Sequence, residues 1–116
     1  MKKVLMILGI LFIFAANSQV VFAHPPSDIK ISYDTATKIL KASIIHGVSN
    51  VKKHYIVKVD ISLNGEEIIS QKISVQDNND VQAVEVYIPD TKAGDRLAVE
   101  GYCSISGKLE KEITIK

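Results

Sequence analysis

His54-Tyr55-Ile56-Val57-Lys58-Val59-Asp60-Ile61-Ser62-Leu63-Asn64-Gly65-Glu66 is the stretch whose reading decides the fold. Tyr55, Val57, Val59, Ile61 and Leu63 alternate with Lys58, Asp60 and Ser62, the period of two of a strand with one buried face. Asn64-Gly65 follows at once. Both residues tolerate positive φ, and Asn-Gly between two alternating runs is the strongest short signal for a hairpin. Glu66 to Val75 then reads as the returning partner strand.

The same pattern extends in both directions. Upstream, Ile29, Ile31 and Tyr33 alternate with Asp28, Lys30 and Ser32, and Asp34-Thr35-Ala36 reads as a turn. Thr37 to Ile45 alternates again. Gly47 to Lys53 is a polar loop. Downstream, Gln76 to Asp80 is a loop rich in Asp and Asn, Val81 to Ile88 is a strand, and Pro89 to Asp95 is a turn. Arg96 to Ile105, the Ser106-Gly107 turn and Lys108 to Ile115 complete the chain. About seven strands with turn signals every eight to twelve residues or so predict an all-β, immunoglobulin-like antiparallel β-sandwich. Without Trp or paired Cys it is not an antibody-type domain.

The first 23 residues read differently. Lys2 and Lys3 precede an uncharged apolar run from Val4 to Ala16, a polar stretch Asn17-Ser18-Gln19, and small residues around Val21-Phe22-Ala23. That is the order of a cleaved secretory signal peptide. The apolar run is shorter than the roughly 20 residues of a bilayer span. No Cys lies near the cut, which argues against a lipid anchor. The expectation is a signal peptide over 1–23, a single domain over 24–116, a secreted or periplasmic location, and no membrane association after cleavage. Without Lys2 and Lys3, 12 basic residues face 13 acidic ones, and no basic stripe is present. Nucleic acid is therefore not expected as a partner.

The chemistry-bearing residues are His24, His46, His54 and Cys103. His46 closes the second predicted strand and His54 opens the third, so both fall at one end of the sandwich. Cys103 comes late in the sixth strand. One Cys cannot bridge internally, which leaves a buried thiol, an intermolecular disulfide or a metal thiolate. Imidazole and thiolate are good donors for iron, zinc and copper. Against this stands the ordinary reading of a strand-end His as a surface or capping residue, and the spacings match no zinc motif.

Two segments carry a resemblance. Ile45-His46-Gly47 … Lys53-His54-Tyr55-Ile56 leading into Leu63-Asn64-Gly65-Glu66, and the later Gly101-Tyr102-Cys103-Ser104-Ile105-Ser106-Gly107, resemble the iron-binding domain of desulfoferrodoxin and superoxide reductase. The sandwich is also similar to the sulfur-carrier accessory protein of thiosulfate oxidation, which lacks the iron. The iron-binding family holds one iron through four histidines and one cysteine, in His-Pro, His-Tyr-Ile and Cys-Asn-x-His-Gly contexts. By that resemblance His46, His54 and Cys103 are iron ligands, and His24, in His24-Pro25-Pro26, loosely matches a further one. Gly47 replaces the family proline, the His46–His54 gap is two residues longer, and Ser106 stands where the last histidine would be. Three histidines and one cysteine suit zinc or copper as well as iron. Cleavage after Ala23 would also give His24 a free α-amine that could chelate with its imidazole.

Three functions follow as expectations: an exported metal-binding domain related to superoxide reductase, an active superoxide reductase with altered ligands, or a non-catalytic sandwich that binds a partner protein. Expected partners are a metal ion and a redox or envelope protein.

Overall fold

The computed structural model describes residues 24–116; the segment read as a secretion signal lies outside them. The strands are β1 (Asp28–Asp34), β2 (Ile39–Ile45), β3 (Ile56–Leu63), β4 (Glu66–Lys72), β5 (Val81–Tyr87), β6 (Arg96–Cys103) and β7 (Lys108–Thr114). Among the described residues there is no helix, and so none long and apolar enough to cross a membrane. The strands form a three-stranded sheet, β1-β2-β5, and a four-stranded sheet, β4-β3-β6-β7. Every pairing is antiparallel. The chain is the predicted all-β sandwich.

Hairpins join β1 to β2, β3 to β4 and β6 to β7; the other three connections cross between the sheets. Because the strands alternate in direction, odd strands begin at one end of the sandwich and even strands finish there. The segment before β1, the β2–β3 and β4–β5 connections and the β6–β7 turn all gather at that end. His24, His46, His54 and Cys103 lie in or beside these segments.

The core lies between the sheets. Leu40 and Ile44 of β2 meet Ile56, Val59 and Ile61 of β3 and Leu97 and Val99 of β6, all fully buried. The alternation in β3 is not the simple one expected from sequence. Ile56 pairs with Cys103 and Lys58 with Tyr102, so Val57 is an extra residue in a β-bulge. The bulge puts Ile56 in the core with Val59 and Ile61, in place of Tyr55 and Val57, which stay half-buried. Asp60, on the other face of β3, is nevertheless buried. Its burial would push the carboxyl up, but hydrogen bonds from Ser70 Oγ (2.6 Å) and Lys58 Nζ (3.3 Å) outweigh this and hold it below the usual carboxylate range.

The Asn64-Gly65 turn has positive φ at both residues (52° and 86°), the geometry that its sequence signals. The first turn runs longer than predicted and β2 starts at Ile39 rather than Thr37. Asp34 Oδ1 accepts from the amides of Ala36 and Thr37, and the Asp34 carbonyl accepts from Lys38 N–H, which holds Lys38 at φ 64°.

One glycine lets the two sheets approach closely above the site. A Cβ on Gly101 of β6 would sit 3.1 Å from Ile44 Cγ2 of β2. Ile44 is fully buried on the central strand of its sheet and has little room to give. Gly101→Ala is therefore expected to lower stability by about 1–2 kcal/mol, overpacking outweighing the entropy that alanine removes from the unfolded chain. The shift in urea midpoint measures it; an unchanged or higher midpoint would show that Ile44 moves freely.

Candidate metal centre

His54 is positioned by a short capped turn. Asn50 Oδ1 accepts from Lys52 N–H, and the Asn50 carbonyl accepts from the amides of Lys53 and His54. The chain then enters β3 beside the end of β6. Tyr55 N–H donates to Ser104 Oγ (3.1 Å) and Ser104 N–H to the Tyr55 carbonyl (2.8 Å). This pair brings His54 Nε2 to 3.2 Å from Cys103 Sγ. The thiol also accepts from Ile105 N–H at 3.5 Å and is buried.

His46 leaves β2 fully buried, its amide donating to the Asp80 carbonyl (2.9 Å). Its ring is held by Gln76, from the β4–β5 connection, at 2.8 Å from Nδ1. Its Nε2 lies 3.2 Å from the His24 carbonyl oxygen.

His24 arrives on the segment before β1. Pro26 is buried, Ser27 N–H donates to the Ile45 carbonyl, and Pro25 lies on the β6–β7 turn. A Cβ on Gly107, which has φ 87°, would fall 2.9 Å from Pro25 Cβ. Only glycine suits both the backbone and this contact. Gly107→Ala is expected to cost about 1 kcal/mol or more and to weaken metal binding by moving the segment that carries His24. Calorimetric zinc titration of wild type and variant checks this; equal affinity with reduced stability would separate Gly107 from the site.

The three imidazoles form a nearly equilateral triangle. Ring centroids are 4.9 Å apart for His24–His46, 5.0 Å for His24–His54 and 4.7 Å for His46–His54, with rings tilted by 57–86°. One donor atom from each lies within 4.8 Å of the other two, so the three histidines could hold a metal ion. Nitrogens bound to one ion at 2.0–2.1 Å are at most about 4.2 Å apart, so small side-chain rotations would close the set. Cys103 stands beside this triangle and touches it through His54. Ser106 is exposed.

The environment of His54 suits a metal ligand. Burial first, then the nearby rings of His46 and His24, hold His54 below the ordinary imidazole range. A metal ligand must be neutral, and a depressed imidazole yields its lone pair with less competition from protons. Gln76 was not singled out from the sequence. It sits in a polar loop, and nothing local distinguishes it from its Asp and Asn neighbours. Comparison with known proteins finds no family model, curated protein or solved structure that matches this chain.

Proposed function

We propose that this chain is an exported metal-binding domain related to the superoxide reductase iron domain, holding one transition-metal ion through His24, His46 and His54 with Cys103 as a fourth donor. The observation that carries this reading is the triangle of three imidazoles delivered by three separate segments. A structural role for so many histidines is a poor alternative, since only His46 is fully buried and bonded at both ring nitrogens. Iron is the metal that the resemblance implies, and the thiol at 3.2 Å from His54 favours a thiolate-ligated ion over a purely nitrogen-ligated one. Such an ion would supply one-electron chemistry. The chain's part is to orient the imidazoles, favour the neutral form of His54 and shelter the sulfur.

The test is metal analysis of residues 24–116 produced without a histidine tag, loaded anaerobically with ferrous iron and, separately, with zinc and copper(II). One equivalent of tightly bound metal is expected, with a thiolate-to-iron charge-transfer band on oxidation. Substoichiometric retention of all three metals would remove the metal reading in favour of a partner-binding sandwich. Full metal content in Cys103→Ser would take the cysteine out of the ligand set. Superoxide consumption by the iron form would extend the reading to an active reductase. N-terminal sequencing of the exported protein tests the cut after Ala23.

A further inference from the structure

Gln76 is almost wholly buried, and its side-chain amide makes four hydrogen bonds. Nε2–H donates to the His46 carbonyl (2.8 Å) and to the Asn78 carbonyl (2.9 Å). Oε1 accepts from Ile56 N–H (3.2 Å) and faces His46 Nδ1 (2.8 Å). The three backbone partners fix the amide's orientation. Turned over, its NH2 would meet the N–H of Ile56 and its oxygen would meet two carbonyls. Oε1 therefore faces His46 as an acceptor, and Nδ1 must carry the hydrogen. In the neutral ring, Nε2 is then the nitrogen left with the lone pair.

This arrangement opposes the other hydrogen-bond contact of the ring. The His24 carbonyl, 3.2 Å from Nε2, would favour a hydrogen there. Gln76 and the His24 carbonyl thus compete for the tautomer of His46, and the shorter, buried contact is the one to Gln76. Metal-binding histidines generally donate their second ring N–H to an acceptor that orients them.

We propose that Gln76 is a positioning residue for the metal centre: its amide oxygen sets the Nδ1–H tautomer of His46 and so presents Nε2 as a metal donor. This rests on the metal reading above for its purpose, although the tautomer is measurable without metal. The residue comes from a connection that contributes no ligand, so it also ties the β4–β5 loop to the site.

The experiment uses two variants. Gln76→Met removes the acceptor and both donors. Gln76→Glu also loses the two donations to carbonyls but keeps an acceptor for Nδ1. In metal-free protein, above the imidazole titration range, long-range proton–nitrogen correlation spectra should show Nδ1–H for His46 in wild type and Gln76→Glu. Gln76→Met should show Nε2–H, donating to the His24 carbonyl. Zinc affinity should fall roughly 10–100-fold in Gln76→Met and stay near or above wild type in Gln76→Glu. Nε2–H in the wild-type protein overturns the proposal, as does an equal loss of affinity in both variants, which would mark a structural role only. If Gln76→Met does not fold, loss of the Nδ1–H tautomer in folded Gln76→Glu overturns it equally. Wild type with the Nδ1–H tautomer but no zinc binding would refute the metal function while leaving the tautomer assignment intact.

Discussion

Replacing His46 by alanine is expected to abolish metal binding at micromolar protein and to destabilise the metal-free domain by roughly 2–4 kcal/mol. Both effects come from one position. His46 is the ligand candidate with no exposed surface, at the end of β2, where the core meets the site. Alanine leaves a ring-sized space beside Gln76, whose Oε1 keeps only its bond from Ile56 N–H. Losing one of the three imidazole donors should weaken binding by more than about 100-fold, beyond what loss of a supporting hydrogen bond does. His24→Ala provides the control for folding. His24 is exposed, so that variant should lose metal affinity while the metal-free unfolding midpoint stays within about 0.5 kcal/mol of wild type. Zinc titration calorimetry paired with urea unfolding reads both quantities. Zinc bound by His46→Ala as tightly as by wild type would refute the triangle as the site.

Ile44→Ala should cost about 2–5 kcal/mol, the range for truncating a fully buried aliphatic side chain. The upper half is expected here. Ile44 packs against Gly101, whose missing side chain gives the vacated space no neighbour that can extend into it. For a domain with an ordinary stability of about 5–15 kcal/mol this is a large share, and the melting temperature should fall by roughly 10 °C or more. The same geometry predicts a change of sign. Gly101→Ala destabilises the wild type, because its Cβ would meet Ile44 Cγ2 at 3.1 Å. Once Ile44 is alanine, that Cβ enters empty space and the substitution should stabilise by about 0.5–1 kcal/mol. A double-mutant cycle should therefore give a coupling of about 1.5–3 kcal/mol. Additive effects would show that the two sheets relax independently at this contact.

Much of the fold was legible because the signals are local. Alternation over Val59–Leu63 follows from the pleat, and Asn64-Gly65 dictates its own turn through positive φ. Two of the expectations that failed at strand ends failed for different reasons, the first non-local and the second a local turn. The Val57 bulge arises where β3 starts against β6, and Lys38 adopts φ 64° because Asp34 closes the turn beneath it. The site residues were legible by type alone. His24, His46, His54 and Cys103 stand out as donors in a chain with few of them.

By itself, then, the sequence determined the class of fold, the seven strands and the four candidate donors, since residue type and period of two are properties of short segments. Only the tertiary structure decided that the strands divide three and four and that three imidazoles meet within 4.8 Å while the thiol stands beside them. It alone revealed the Pro25–Gly107 contact that carries His24 and the Gln76 amide that orients His46. The physical reason is that each depends on segments far apart in the chain, brought to one end of the sandwich by antiparallel pairing, and no local pattern encodes a meeting of that kind.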